Sequence, residues 1–303
     1  MSEKANIAVI GAGLMGAGIA QVFAAAGHDV ALFDAIEAVR ATAMARIRDN
    51  LALVGMDPDL GAEVHIHDNL ETAVGAADFV FEAISENMPL KQEIFARIEA
   101  AAKPGAILAS NTSVIPITSI MAGLADKSRG LGTHWWNPPY LVPLVEVVRT
   151  VDASDVAVRA ALDLLNSVGK TAVEVKKDVV GFVGNRMQHA LWREAISIVA
   201  EGVCDAETVD AVVKASFGRR LAVLGPLENA DMIGADLTLA IHQYVLPHVD
   251  ALKGASPYLE KLVADGKLGF KSGEGFRTWT QDQQTALRRQ VAEHLMMLNR
   301  AGV

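Results

Sequence analysis

The first 180 residues alternate short apolar runs with segments in which apolar residues recur at helical spacing. The apolar runs predict strands, and these lie at residues 6–10, 30–33, 64–67, 78–84, 106–109, 144–148 and 171–175. The helical spacing predicts helices at residues 14–26, 36–54, 90–102 and 155–167. Strands that alternate with helices in this way favour a parallel, doubly wound sheet.

Beyond residue 178 the pattern is helical only. A long helix is predicted over residues 182–201, and its apolar face holds Met187, Leu191, Ala195 and Ile198. Further helices are predicted at residues 206–217, 237–245 and 282–298. We therefore predict an α/β fold in two parts. A Rossmann-type, mostly parallel sheet domain covers residues 1–180, and an all-helical domain covers residues 181–303.

The first predicted strand runs directly into Gly11-Ala-Gly13-Leu-Met-Gly16 and then into a helix. In this context Gly11 permits a tight turn, Gly13 lets the backbone approach a pyrophosphate, and Gly16 lets the helix pack on the strand. The N–H groups at the helix start then face anionic phosphates. Asp34 ends the next strand, where an acid accepts hydrogen bonds from a ribose diol and repels a phosphate. The pattern favours NAD over NADP; the alternative is a glycine-rich turn in an ordinary α/β unit.

His134 follows an apolar, strand-like run, and Glu146 comes twelve residues later in another extended segment. Ligands of open α/β sheets bind beyond the carboxyl ends of strands, where His134 and the turn at residues 110–113 are expected. Hydride removal from an alcohol needs a base for the hydroxyl proton, and the pKa of histidine lies close to neutrality. Glu146 is the candidate carboxylate for the second ring nitrogen. From spacing alone, a histidine packed in the core and a carboxylate on an edge strand stay open as alternatives.

The composition narrows the classes of partner. The formal net charge is −9 and no basic run is present, which argues against nucleic acid and anionic membranes. No apolar stretch reaches transmembrane length, and the first strand begins too early to leave room for a targeting segment. The single cysteine, Cys204, fits a reducing compartment. No His/Cys cluster has metal-ligand spacing. We expect a cytoplasmic protein that binds a small-molecule substrate and no metal.

Several motifs, in order and with the right spacing, resemble the 3-hydroxyacyl-CoA dehydrogenase family over nearly the whole chain. The motifs are Gly11-Ala-Gly-Leu-Met-Gly-Ala-Gly-Ile19, Glu86-Asn87 with Lys91, Ser110-Asn-Thr-Ser113, His134-Trp-Trp-Asn-Pro138, Leu144-Val-Glu146, Lys177-Asp178, Gly181-Phe182, Asn185-Arg186, Gly225-Pro226, Asp231 and Lys271-Ser-Gly-Glu-Gly-Phe276. The resemblance implies NAD as the cofactor and a helical C-terminal domain that forms a homodimer. It also implies an active site in the cleft between the two domains.

The resemblance assigns roles position by position. It implies that His134 is the general base towards the 3-hydroxyl and that Glu146 orients and supports it. Ser113 is implied to hydrogen-bond the substrate oxygen, Asn185 to reach the histidine and substrate, and Asn137 to hold the substrate or the histidine loop. The predicted cofactor-binding residues are Gly11, Gly13, Leu14, Met15, Gly16, Asp34, Glu86, Lys91, Asn111 and Ser113.

Departures from the acyl-CoA members leave the substrate open. Trp135 and Trp136 stand where those members carry two phenylalanines, and Pro143 stands where they carry a lysine. Their lysine-rich helical excursion after the second strand helps to hold CoA phosphates. Here the excursion is short and carries only Arg40, Arg46 and Arg48, although CoA phosphates need a local basic patch. The segment 134–146 resembles branches that oxidise small free acids, namely L-gulonate, carnitine and pyridine-aldehyde dehydrogenases.

The expected reaction is oxidation of a 3-hydroxyacyl-CoA to its ketone or, alternatively, oxidation of a small non-CoA hydroxy acid or hydrated aldehyde. Two other classes are weighed against it. A β-hydroxyacid dehydrogenase of the phosphogluconate type uses a lysine on the central helix, and the predicted helix carries none up to Glu201. A dinucleotide-binding sensor without turnover has no need of His134, Glu146, Ser113 and Asn185 together.

Overall fold

The computed structural model describes residues 4–302. It divides the chain into two compact units, the first ending at Asn185 and the second beginning at Arg186. The boundary predicted from the sequence, between residues 180 and 181, lies a few residues earlier.

Eight strands form one sheet in the first unit: β1 (Asn6–Ile10), β2 (Asp29–Phe33), β3 (Val64–His67), β4 (Phe79–Glu82), β5 (Ile107–Ser110), β6 (Gly130–Trp135), β7 (Leu144–Arg149) and β8 (Thr171–Val175). Their order across the sheet is β3-β2-β1-β4-β5-β6-β7-β8. All neighbours pair in parallel except β6 and β7, which are antiparallel. The predicted mostly parallel, Rossmann-type sheet is confirmed.

The helices of the first unit are α1 (Leu14–Ala25), α2 (Glu37–Leu53), α3 (Leu70–Val74), α4 (Met88–Ala101), α5 (Ile117–Ile120) and α6 (Asp155–Ser167). Helix α7 (Gly184–Ala200) begins in the first unit and continues into the second. The second unit adds α8 (Ala206–Ala215), α9 (Pro226–Ile233), α10 (Ala235–Val245), α11 (Pro257–Ala264) and α12 (Gln281–Ala301). The sequence pattern did not predict α3, α5, α9 or α11, because helices of four to eight residues show too few turns for a period to be visible.

The sheet buries apolar side chains on both faces, as parallel strands covered by helices do. Along β1, Ile7 and Val9 belong to a cluster that includes Phe23 of α1. Ile10 belongs to the cluster on the other face, with Phe95 of α4. This two-sided packing fixes the carboxyl ends of β1, β4, β5 and β6 along one edge of the sheet.

The second unit has almost no buried residues of its own. Among residues 186–302, only Leu262 and Gln284 are buried. On the apolar face predicted for α7, Met187 is 57% exposed and Leu191 is 40% exposed. The apolar side chains of this unit are therefore left largely uncovered in a single copy of the chain.

The glycine-rich turn between β1 and α1 contains two kinds of glycine. Gly11 has φ +103°, and a Cβ on Gly16 would lie 1.7 Å from the Gly11 carbonyl oxygen. A Cβ on Gly13 would meet no atom within 4 Å. Close packing of α1 on the turn after β1 thus requires glycine at position 16. Gly11 is required by its positive φ and by the Ala83 carbonyl oxygen, which would lie 2.6 Å from a Cβ there, whereas Gly13 leaves open space.

The substitution Gly16→Ala is expected to destabilise the first unit by about 1–3 kcal/mol, because a backbone carbonyl must move to admit the methyl group. The matched control Gly13→Ala should change stability by less than about 0.5 kcal/mol. Urea unfolding of both variants measures the difference. Equal losses in the two variants would contradict the assignment of Gly16 as the packing glycine.

Candidate active site

His134 and Glu146 face each other across the antiparallel pair β6 and β7, in direct register. Residues directly opposite in such a pair have Cβ atoms about 4.5–5.5 Å apart on the same face. Both side chains are buried, and the His134 Nδ1 atom lies 2.8 Å from Glu146 Oε2. The twelve-residue spacing is thus the length of one return from β6 to β7.

The second oxygen of Glu146 is held by the start of helix α7. Its Oε1 accepts hydrogen bonds from the backbone N–H of Val183, at 2.9 Å, and of Gly184, at 3.0 Å. The preceding residue, Phe182, has φ +49°, a left-handed conformation that is uncommon for a large side chain. One ring nitrogen and two backbone N–H groups therefore converge on the Glu146 carboxylate. The strained conformation of Phe182 directs both N–H groups towards it.

Opposing effects act on the Glu146 carboxyl. Burial raises its pKa, but the hydrogen bond with His134 and the amides of Gly184 and Val183 lower it by more, so its pKa lies below the ordinary 4.5. Glu146 is therefore ionised at neutral pH. An ionised carboxylate accepts the Nδ1 proton of a neutral imidazole, which leaves Nε2 as the atom able to accept a proton.

The imidazole lies between two aromatic rings. The rings of Trp136 and Phe182 each have their centroids 5.4 Å from that of His134. Trp135 lies instead in the core of the sheet, with edge contacts to Phe23 and Phe81. Gly184 completes the arrangement, because a Cβ there would lie 2.4 Å from Trp136. The sequence analysis missed Gly184, whose signal is its place next to Gly181-Phe182.

The turn after β5 is fixed by side chains from other segments. Glu86 accepts hydrogen bonds from the backbone N–H of Ser113, at 2.6 Å, and from the Thr112 hydroxyl, at 2.7 Å. Asn185 donates from Nδ2 to the Ser113 carbonyl at 3.0 Å. Asn111 accepts from the backbone N–H of Trp135, at 2.9 Å. The structure thus brings Glu86, Asn111, Ser113 and Asn185 together at the carboxyl edge, and their contacts with ligands stay predictions.

The loop between β6 and β7 is held by a lysine that the sequence analysis missed. Lys170 donates from Nζ to the carbonyls of Pro139 and Val142 and lies 5.4 Å from the centroid of the Trp135 ring. Burial lowers the pKa of Lys170 to about 8. Asn137 is exposed on the same loop, so this lysine holds the backbone on which that predicted substrate contact sits.

The glycine turn fits a dinucleotide. Within residues 4–302, no side chain caps the N-terminus of α1, whose N-cap is Gly13. Its free amides and the open space at Gly13 are what a pyrophosphate needs. Asp34 accepts hydrogen bonds from the N–H groups of Ala12, at 2.8 Å, and Ile36, at 2.9 Å. The predicted contacts Leu14 and Met15 lie at the helix start, where Leu14 is exposed.

Lys91, a predicted cofactor contact, lies beneath the carboxyl edge. Its Nζ forms a buried ion pair with Glu82 Oε1 at 2.6 Å, and it is 3.9 Å from Glu86 Oε2. The other Glu82 oxygen accepts from the Ser110 hydroxyl at 2.6 Å. A direct contact of Lys91 with the cofactor stays a prediction. The sequence analysis missed Glu82, although a carboxylate inside an apolar strand is a visible signal.

The described residues contain neither a metal-binding cluster nor a membrane-spanning helix. Between residues 4 and 302 there is no group of three or more His, Cys, Asp or Glu side chains placed to hold a metal ion. Over the same part of the chain, every helix is too short or too polar to span a bilayer.

Both halves of the chain match models of one protein family. The family model "3-hydroxyacyl-CoA dehydrogenase, NAD binding domain" matches residues 6–179, and the model of the C-terminal domain matches residues 181–279. The chain belongs to the 3-hydroxyacyl-CoA dehydrogenase family. Members are NAD-dependent oxidoreductases that act on CH–OH groups, so the predicted cofactor, enzyme class and family are confirmed.

Individual relatives differ in their substrates. A 5-formyl-3-hydroxy-2-methylpyridine 4-carboxylate 5-dehydrogenase from Mesorhizobium japonicum is 35% identical over 97% of each chain. A crystal structure of an enzyme of that name, described as an NAD+-dependent dismutase, is 34% identical, covers 99% of this chain and 98% of its own, and has a TM-score of 0.92. An (S)-3-hydroxybutyryl-CoA dehydrogenase from Ralstonia eutropha is 31% identical, with 92% and 100% covered and a TM-score of 0.75.

The lowered pKa of Glu146 predicts acid sensitivity of the fold. Because its folded-state pKa lies below the ordinary 4.5, the carboxylate stabilises the fold above that pH, and this stability is lost as the pH falls through the folded-state pKa. Urea unfolding between about pH 5 and 3 should therefore show a shallower loss in Glu146→Gln than in the natural protein.

The matched control is Glu93→Gln on α4, where the carboxylate is exposed and has no ion-pair partner among residues 4–302. This variant should keep the pH slope of the natural protein. A Glu146→Gln variant that loses stability in parallel with the natural protein would contradict the role of the carboxylate in acid sensitivity.

Proposed function

We propose that the protein oxidises a hydroxyl-bearing carbon of a small carboxylic acid that is not attached to CoA, with NAD as the hydride acceptor. The substrate is a hydroxy acid or a hydrated aldehyde. The observation that carries the proposal is the end-to-end likeness to the pyridine-carboxylate dehydrogenase, in both sequence and fold.

The charges near α2 support a substrate without CoA. Arg40 and Arg46 rest on the backbone carbonyls of Asp34 and Ala12, next to the glycine turn. They therefore lie at the dinucleotide end and do not form a separate basic patch for CoA. Arg48 alone of the three is exposed, and one exposed guanidinium is a weak site for the several phosphate charges of CoA.

A 3-hydroxyacyl-CoA is the second candidate substrate, and oxidation to the ketone is its reaction. It is favoured by the match of the family models to both halves of the chain. The chemistry at the hydroxyl group is the same in both cases, so the two candidates differ only in what the protein binds beyond the reacting carbon.

In the proposed mechanism, His134 Nε2 takes the proton of the substrate hydroxyl as the carbon–hydrogen bond breaks. NAD held at the glycine turn and Asp34 would supply the hydride acceptor, which balances the two electrons lost by the substrate. Glu146 stays ionised and stabilises the imidazolium that forms. Ser113, Asn137 and Asn185 orient the substrate oxygen and carboxylate. Burial of His134 between Trp136 and Phe182 keeps bulk water away from the imidazole.

A substrate panel followed by NADH formation tests this proposal. It compares L-3-hydroxybutyryl-CoA with free 3-hydroxybutyrate, L-gulonate, carnitine and a pyridine-carboxylate aldehyde. We expect the highest kcat/KM for a free acid. A preference for the thioester by orders of magnitude would assign the second candidate instead.

Two histidine variants distinguish loss of the proposed base from a general effect of substitution on the fold. His134→Gln is expected to lower kcat by about 10²–10⁴ while NAD binding persists, because it removes the base. His65→Gln changes an exposed histidine on β3 and should leave turnover unchanged. Normal turnover in His134→Gln with NAD bound would remove His134 from the mechanism.

We further propose that two copies associate through the helical unit, and that the protein is cytoplasmic. Exposed apolar residues on α10 support the homodimer: Leu237, Ile241 and Tyr244 share one helix face and are 50%, 43% and 81% exposed. A contiguous exposed apolar face is typical of an interface.

The single cysteine, Cys204, supports the proposed cytoplasmic location because reducing compartments disfavour disulfides.

Light scattering tests the homodimer against the chain mass of 32.1 kDa. We expect twice that mass for the natural protein and a shift to the monomer for Ile241→Glu, which places a charge in the apolar face. Val151→Glu is the matched control, because Val151 is an 82% exposed valine of the sheet unit. A natural protein with the mass of one chain would contradict the proposed homodimer.

A further inference from the structure

Two arginines of α2 lie beside the acid that ends β2. Arg40 donates from Nη1 to the Asp34 carbonyl at 2.6 Å, and Arg46 donates from Nη1 to the Ala12 carbonyl at 2.8 Å. Ala12 in turn donates its N–H to the Asp34 carboxylate at 2.8 Å. Both guanidinium groups therefore lie close to Asp34, where β1 and β2 end.

These arginines have no anionic partner. Among residues 4–302, no carboxylate lies within ion-pair distance of either one, whereas Arg97, Arg129, Arg149 and Arg277 each pair with at least one. Both are half-buried. A guanidinium has five N–H donors, and these two use only one and two of them in the hydrogen bonds described.

We propose that Arg40 and Arg46 form a binding position for the 2′-phosphate of NADP, which the Asp34 carboxylate keeps closed. An acid at the end of the second strand binds the ribose hydroxyls of NAD, and a nearby arginine accommodates the additional phosphate of NADP. Guanidinium groups suit this because they bind phosphate oxygens through two N–H bonds at once. Cofactor choice then depends on one negative charge.

The proposal differs from a purely structural role in what Asp34 controls. If the arginines only brace the glycine turn, their loss weakens binding of every adenosine ligand alike. If they form a phosphate position, their effect is confined to ligands with a 2′-phosphate and appears when the carboxylate charge is removed. The proposal concerns the cofactor and does not depend on which substrate the protein oxidises.

Calorimetric titration tests the position with three probes: 5′-AMP, adenosine 2′,5′-bisphosphate and adenosine 3′,5′-bisphosphate. The last carries the phosphate arrangement of CoA. Asp34→Asn keeps an oxygen for the Ala12 N–H but removes the charge. It should tighten binding of the 2′,5′-bisphosphate relative to 5′-AMP by about tenfold or more. Adding Arg40→Gln and Arg46→Gln should abolish this gain.

Arg48→Gln, an exposed arginine of the same helix, is the matched control and should retain the gain. If the glutamine variants fail to fold in a thermal melt, Arg40→Lys and Arg46→Lys keep the charge and should reduce the gain by removing the two-bond contact. An unchanged ratio in Asp34→Asn, or a gain that survives both arginine substitutions, would overturn the proposal.

Preferential binding of the 3′,5′-bisphosphate would also overturn it, because that result assigns the arginines to CoA. The titrations need no turnover. A protein that oxidises nothing in the substrate panel but gains 2′-phosphate binding as described would contradict the proposed function and leave this inference standing.

Discussion

The carboxylate of Glu146 joins the features on which the rest of the site depends. One oxygen lies 2.8 Å from His134 across two antiparallel strands, and the other binds the first amides of α7. Without the carboxylate, the Nδ1 atom of the buried imidazole would be left unsatisfied, at a cost of about 1–3 kcal/mol. The backbone N–H groups of Val183 and Gly184 would lose their acceptor as well. Positioning of the His134 imidazole and the start of α7 therefore share one interaction.

The other half of the site depends on close backbone contact. Gly16 lets α1 approach the turn after β1, and Pro139 from the loop after β6 packs on Gly18 of the same helix, where a Cβ would lie 3.0 Å from the proline. The helix that faces the dinucleotide thus also supports the loop that follows His134. The glycine turn and the loop that follows His134 are therefore placed by a single packed layer.

Much of this could be predicted from the sequence. The glycine fingerprint with Asp34 and the alternation of strands and helices define the sheet domain. The spacing of His134 and Glu146 suits a strand return. Lys170 could not be predicted, because its carbonyl partners come from a distant segment and carry no local period. Glu82 and Gly184 stand at positions that the sequence marks, but their partners become visible only in the fold. The helical unit shows the same limit: periodicity identifies an apolar face on α7 but does not say what covers it.

Lys170 gives the loop after His134 a chemical dependence of its own. Its amine bridges two backbone carbonyls while charged, and above about pH 8 it becomes neutral and donates more weakly. Alcohol oxidation releases a proton and is driven forward by the same rise in pH. Alkaline conditions thus favour the equilibrium of the reaction while they relax the segment that carries Asn137.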